Sequence, residues 1–143
     1  MLVMATPAYA QFQYLRISAT PMARFSLNAN PTAPQTLTVF SEWGWLSGDS
    51  TVNVCVSMTA PLRGTGTNTD TIPQANVQVN NLSIVSGSTK CGIVNATQIG
   101  SGTMSTFLPG NRTDTPSIRI SGYSSTLAPD TYTGTITLYV LTF

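Results

Sequence analysis

Short stretches in which apolar and polar residues alternate at every second position recur along the whole chain. In the clearest, residues 51–58, valine or methionine occupies every even position, and threonine, asparagine, cysteine or serine occupies every odd one. A period of two puts successive side chains on opposite faces of a β-strand. Glycine, proline, asparagine and serine separate these stretches at intervals of roughly ten residues, as in β-sandwiches. The pattern predicts an all-β protein, an immunoglobulin-like two-sheet sandwich of roughly seven to nine strands.

The predicted strands are separated by residues that favour turns. We expect the strands at residues 12–19, 24–28, 36–45, 51–58, 74–85, 91–99, 103–108, 116–121 and 132–143. The phase of the apolar positions changes at Asn80-Asn81, which predicts a bulge or a hairpin turn. The polar run 61–73 predicts an exposed connection. Residues 64–66 and 100–102, both Gly-x-Gly, are interpreted as turns because neither leads into a phosphate-binding lysine and a helix.

The composition removes several classes of function. Only 8% of the residues are charged, the formal net charge is +1, and histidine is absent. Such a chain lacks the basic face of a nucleic-acid binder, so no nucleic acid is expected among its partners. Without histidine, the common nucleophile–base systems and most zinc sites are excluded.

The acidic residues are few, and most lie where turns are expected. They are Glu42, Asp49, Asp70, Asp114 and Asp130. Aspartate in such contexts usually bonds nearby backbone groups, and Arg112 predicts a local ion pair with Asp114 of little energetic weight. A calcium site that uses Asp49 or Asp70 is an alternative, although no spaced acidic loop supports it. We expect no enzyme activity, no catalytic residue, no metal and no cofactor.

The first ten residues have features of an export signal. Residues 1–10 are mostly apolar and end in Ala8-Tyr9-Ala10, a small-x-small pattern of the kind that signal peptidase cuts. They are interpreted as the remnant of a signal peptide, and an ordinary apolar strand or terminus is the alternative. No run of 18 apolar residues occurs, so no transmembrane segment is expected. The N-terminus predicts secretion to the extracellular cell surface.

The two cysteines, Cys55 and Cys91, also indicate an oxidising compartment. They form an even pair without CxxC spacing, and no histidine completes a metal site. In an exported protein they predict one disulfide, which would stabilise the fold by up to about 4 kcal/mol. Two free buried thiols, the usual state in the cytosol, are the alternative.

Trp43 and Trp45 lie two residues apart, so on a strand they project from the same face. Exposed together, they would form a platform for a sugar ring. The alternatives are that one or both fill the core, as large aromatic residues do in sandwiches, or form a subunit contact. Glycan acceptor patterns begin at Asn81, Asn95 and Asn111, and they matter only in a host that glycosylates exported proteins.

The most strand-like segment, residues 132–143, ends the sequence without a polar tail. Ile136, Leu138 and Val140 share one face of this segment. A sandwich whose last strand is this apolar leaves an edge that attracts another strand unless something covers it. A detachable N-terminal strand from a neighbour would cover it by strand addition.

The closing segment resembles that of secreted bacterial pilin-like domains. Residues 127–140 read Leu-Ala-Pro-Asp-Thr-Tyr-Thr-Gly-Thr-Ile-Thr-Leu-Tyr-Val, similar to the ends of the spore coat protein U and archaic chaperone–usher families. The resemblance implies an immunoglobulin-like sandwich that lacks its last strand and is completed by an N-terminal strand of the next subunit. It also implies identical subunits in a homopolymer, with a periplasmic chaperone and an usher as assembly partners.

These observations lead to two hypotheses from different classes. In the first, the protein is a structural subunit of a pilus or fimbria assembled by donor-strand exchange. Residues 11–20 are then the candidate donor strand, with 21–143 as a single β-sandwich domain. Its donor residues are Phe12, Tyr14, Leu15 and Ile17, and its acceptor groove is lined by Ile136, Leu138 and Val140. In the second, the protein is a secreted carbohydrate-binding or adhesin domain that uses Trp43 and Trp45.

Overall fold

The computed structural model describes residues 14–20, 25–27, 29–44, 50–92, 95–104 and 109–142. Within these ranges the protein is almost entirely β-structure, with antiparallel sheets and no α-helix, so the predicted all-β sandwich is confirmed. The strands are β1 (Tyr14–Thr20), β2 (Phe25–Ser26), β3 (Gln35–Thr36), β4 (Thr38–Gly44), β5 (Ser50–Ser57), β6 (Leu62–Gly64), β7 (Thr71–Ile72), β8 (Val77–Val79), β9 (Leu82–Ser83), β10 (Ala96–Met104), β11 (Gly110–Asp114), β12 (Ser117–Ile120), β13 (Thr131–Thr133) and β14 (Thr137–Thr142).

The strands form two layers. In the first layer, the order β1-β4-β11 continues into β3-β12-β8-β9, because β3 leads into β4 across Leu37 and β11 leads into β12. The backbone N–H of Leu37 donates to the carbonyl of Pro116 across this junction, at 3.1 Å. The second layer consists of the sheets β10-β5-β14 and β2-β13-β6-β7, which the chain connects because β5 leads into β6 and β13 leads into β14. The two layers bury one continuous apolar core between them.

The inward-facing residues of the alternating stretches form this core, as their period of two requires. Its buried members are Leu37, Val39, Val54, Val56, Met58, Leu62, Ile72, Val77, Val79, Ile84, Ile118, Ile120 and Tyr132. Both layers contribute, which makes burial of the two inner faces the main stabilising interaction of the sandwich.

Two local predictions were wrong or incomplete, and a third is confirmed. The polar run 61–73 is not only a loop: β6 and β7 pair within it, because Leu62 and Ile72 reach the core. The predicted strand 91–99 begins only at Ala96, since residues 89–91 form a 3-10 turn that ends at a left-handed Gly92 (φ 58°). The predicted hairpin turn is confirmed, with Asn80 and Asn81 at φ 50° and 68° between β8 and β9.

The glycines at 100 and 102 lie inside β10, not in a turn, and they face long side chains from β4 and β11. A Cβ on Gly100 would lie 2.5 Å from both carboxylate oxygens of Asp114. A Cβ on Gly102 would lie 3.0 Å from the Trp43 ring, and the same ring lies against Gly110 of β11. Glycine therefore occupies these strand positions because the opposing layer fills the space.

The predicted disulfide is present. Cys55 and Cys91 are bonded with their Cα atoms 6.1 Å apart, within the usual range, and both are fully buried. Together with Ala96, they form a small apolar cluster on the outer face of β5, opposite the main core. The bridge fixes the 3-10 turn 89–91 onto this face.

Trp43 packs inside the sandwich, and its truncation is expected to destabilise the fold. It is only 3% exposed and contacts Val52, Gly102 and Gly110. We expect Trp43→Ala to lower the free energy of unfolding by about 3–5 kcal/mol, measured by urea denaturation. Phe40→Ala is the matched control on the same strand, because Phe40 is 39% exposed on the opposite face. Equal stabilities of the two variants would contradict a core role for Trp43.

Candidate functional site

The last described strand forms an edge of the second layer. β14 pairs with β5 along its whole length, from Thr137 opposite Ser57 to Thr142 opposite Val52. Among the described residues, no strand pairs with the other side of β14. Its outward backbone N–H and C=O groups are therefore open to another strand.

Both faces of β14 are apolar and only half-buried. Leu138 and Val140 pack against the main core, whereas Tyr139 and Leu141 pack against the disulfide cluster on the outer face. The neighbouring β5 differs sharply, because Val54 and Val56 are fully buried there. Apolar burial thus decreases from β5 to β14, and β14 carries apolar surface that the described residues leave partly exposed.

The three predicted acceptor residues lie together at this edge. Leu138 and Val140 are on the inner face of β14, and Ile136 precedes the strand; all three are half-buried against the core. The prediction missed Tyr139 and Leu141 on the other face. Their apolar character in the same strand was the available signal, since a strand with solvent on one face alternates apolar with polar residues.

The predicted donor residues lie in the same chain's first layer. β1 pairs antiparallel with β4, placing Leu15 opposite Trp43 and Ile17 opposite Ser41. Tyr14 is also in β1, and Phe12 lies outside the described residues. Among the described strands, β1 is an edge strand, and it lies against β14 of the opposite layer.

Three of the described side chains of β1 are exposed to solvent. Arg16, Ser18 and Ala19 are exposed, and Ile17 is half-buried against the core. The Arg16 guanidinium pairs with Glu42 at 3.3 Å, but 73% of the Arg16 side chain and 31% of the Glu42 side chain are exposed to solvent. An ion pair this exposed contributes little to stability. The hydrogen-bonded ladder to β4 runs along the whole of β1 and holds it in place.

Trp43 fills the core, as expected of large aromatic residues in sandwiches, so the two tryptophans do not form a sugar platform of two exposed rings. Trp43 is buried, and its indole Nε1 has no hydrogen-bond partner. Trp45 lies outside the described residues. The three glycan acceptor asparagines, Asn81, Asn95 and Asn111, are all exposed.

Arg112 and Asp114 form the predicted ion pair, with the guanidinium donating to both carboxylate oxygens at 2.5 and 2.7 Å. Asp114 is buried and accepts two charged hydrogen bonds. The pair is therefore expected to contribute more to stability than the exposed ion pair that the sequence predicted. The hydrogen bond to Asp114 raises the pKa of Arg112 above its ordinary value. The pair fills the space opposite Gly100, which is a structural role.

A second polar network joins the β6–β7 hairpin to the segment before β13. Asp130 accepts hydrogen bonds from the backbone N–H of Thr131 (2.6 Å), from Asn68 (3.1 Å) and from Thr65 (3.0 Å). The bond from Thr131, followed by the one from Asn68, lowers the pKa of Asp130 below its usual 3.8. Asp70 accepts from the backbone N–H of Ala128 at 3.1 Å. These bonds tie two loops together.

The residues that the structure describes include no group of three or more His, Cys, Asp or Glu side chains that could hold a metal ion. Asp49, the other calcium candidate, lies outside them. In the same part of the chain, no helix is both long and apolar enough to span a membrane. No protein-family model matches the chain, and a search of curated proteins finds no match.

The hydrogen bonds to Asp130 predict a specific loss of stability in acid. Because the folded protein lowers the pKa of Asp130, the ionised carboxylate stabilises the fold above about pH 4. This stabilisation is lost as the pH falls through the lowered pKa. We expect Asp130→Asn to have a lower melting temperature than the parent at pH 7, and a smaller difference from it at pH 2.

Thermal unfolding followed by circular dichroism between pH 7 and pH 2 measures this effect. Glu42→Gln is the charge-matched control, since Glu42 is bonded to the exposed Arg16, and it should melt close to the parent at pH 7. If the difference between Asp130→Asn and the parent is the same at every pH, the Asp130 carboxylate does not stabilise the fold.

Proposed function

We propose that this protein is a structural subunit of an extracellular filament, a pilus or fimbria, assembled by donor-strand exchange between identical subunits. The open, apolar edge at β14 carries the proposal. This edge combines free backbone hydrogen-bonding groups with half-buried side chains on both faces. The similarity of residues 127–140 to the closing strands of pilin-like domains supports it. By that resemblance, a periplasmic chaperone and an usher would guide assembly.

An added strand would pair with the open backbone groups of β14 and also cover its apolar side chains. Its backbone would complete the ladder, and its side chains would cover Leu138 and Val140 on one face and Tyr139 and Leu141 on the other. A strand that buries four apolar side chains gains roughly 6–12 kcal/mol of transfer free energy, at about 1.5–3 kcal/mol each. The cost of ordering the strand reduces this gain.

The proposed donor is the segment 11–20 of a neighbouring subunit. In the single chain, residues 14–20 pair with β4, so donation requires β1 to leave that position. Ser18 and Ala19 of β1 are exposed, which favours this exchange, because their side chains bury little surface where β1 now lies. At β14, the incoming strand would meet apolar side chains on both of its faces, Leu138 and Val140 on one and Tyr139 and Leu141 on the other.

Export agrees with the proposed place of the filament. The Cys55–Cys91 disulfide is the state expected of an oxidising compartment, and the signal-like residues 1–10 point the same way. The adhesin hypothesis ranks second, because Trp43 is in the core and cannot contribute to a sugar platform.

Deletion of residues 11–20 tests the proposal. The truncated protein should aggregate without forming filaments, because both β4 and β14 then have open edges. A peptide of the deleted sequence, added in trans, should restore solubility and raise the melting temperature. A scrambled peptide of the same composition is the control. A truncated protein that stays a stable, soluble monomer would overturn the donor-strand mechanism.

A cysteine pair across β1 and β4 identifies the donor directly. Ser18 lies opposite Phe40, and both side chains are exposed, so Ser18→Cys/Phe40→Cys adds a bond without disturbing the core. The oxidised monomer should form no filaments until a reductant releases β1, as judged by electron microscopy. Ser18→Cys alone should assemble like the parent. Filaments of the oxidised double variant would show that β1 is not the donated strand.

A further inference from the structure

A polar groove of about 440 Å³ lies on the outer face of the second layer, where β10 pairs with β5. It is lined by Thr51, Asn53, Thr89, Lys90, Gln98 and Ser101. Lys90 is the only lysine of the chain, and it is the only charged residue among the described residues of the lining. These residues combine amides, hydroxyls and a single positive charge, and none of them is a carboxylate.

The floor of the groove is held in place by hydrogen bonds. Asn53, only 4% exposed, donates from Nδ2 to the carbonyl of Lys90 at 2.8 Å and accepts from Gln98 Nε2 at 2.9 Å. The disulfide reinforces this arrangement, because Cys91 follows Lys90 and Cys55 lies two residues beyond Asn53. The turn that carries Lys90 is thus fixed over the ladder before any ligand arrives, which lowers the entropic cost of binding.

Several groups in the groove still have hydrogen-bonding capacity. The nitrogen of the Gln98 amide is used by Asn53 and by the carbonyl of Gly100, whereas its oxygen Oε1 accepts no hydrogen bond. The Lys90 ammonium forms no hydrogen bond or ion pair with any described residue. The groove thus offers one cationic donor, one free amide acceptor and three hydroxyl groups to a ligand.

We propose that this groove binds a carboxylated sugar residue of an acidic saccharide. A carboxylate matches the single ammonium of Lys90, and sugar hydroxyls can donate to Gln98 Oε1 and bond with the hydroxyls of the lining. A simple anion would use only Lys90, and a neutral sugar would leave its charge unpaired. The single charge and the polar groups of the lining therefore favour a ligand that is both anionic and rich in hydroxyls.

The groove lies on the opposite side of β5 from β14, because the strand order is β10-β5-β14. Strand addition at β14 would leave the groove accessible. The proposed saccharide binding therefore does not depend on the filament proposal. In a filament, one weak site in each subunit would act many times, so that avidity would raise the overall affinity.

Titration of the full ¹⁵N-labelled protein with sodium glucuronate, followed by NMR, tests the proposal. Amide signals of Lys90, Gln98 and Ser101 should shift and saturate, whereas glucose and sodium acetate should shift them less at equal concentration. Lys90→Gln should weaken glucuronate binding about tenfold, the loss expected for one charged hydrogen bond. Lys90→Arg should retain binding.

Arg63→Gln is the matched control, since it removes the same charge from the exposed side chain of β6. It should bind glucuronate like the parent, and all variants should keep the dispersed spectrum of a folded protein. Gln98→Ala should weaken glucuronate binding without changing the response to acetate. Equal shifts with acetate would reduce the groove to an adventitious anion site. Binding unchanged in Lys90→Gln would overturn the proposal.

Discussion

Burial of β5 on both faces is the constraint on which the rest of this sandwich depends. Residues 52–58 are all buried, although alternate side chains point to opposite sides of the layer. The inner side chains form the core with the other layer. On the outer face, Cys55 bonds to Cys91, and this bond holds a turn over a strand that would otherwise expose that side to solvent. The disulfide and the turn that it holds therefore cover part of the outer face of β5.

The two strands that flank β5 differ, and each is assigned a different proposed function. β10 is rich in glycine on its inner face and is covered there by Trp43 and by the Arg112–Asp114 pair from the opposite layer. Its outer face provides the polar groove beside Lys90. β14 has apolar side chains on both faces and no strand beyond it among the described residues. One side of β5 is thus suited to a small polar ligand, and the other to another strand.

Much of this arrangement follows from the sequence, for identifiable reasons. The period of two predicted the sandwich, because it is a local pattern along each strand. The even cysteine pair predicted the bridge, because the chain contains only two cysteines and within it they can bond only to each other. Pairing of β1 with β4 was not predictable from alternation, which specifies the faces of a strand but not its neighbour. The strand positions of Gly100 and Gly102 depend on Trp43, Arg112 and Asp114, which approach from the other layer. The groove likewise combines residues from β5, β10 and a distant turn.

Hydrogen exchange of the backbone amides in 137–142 tests the central claim, the open edge of β14, most directly. In the isolated subunit, the amides that point away from β5 should exchange quickly, while those bonded to β5 should exchange slowly. In assembled material, both sets should become slow, because a neighbouring strand then occupies the edge. Protection of all these amides in the monomer, or fast exchange that persists after assembly, would contradict the account.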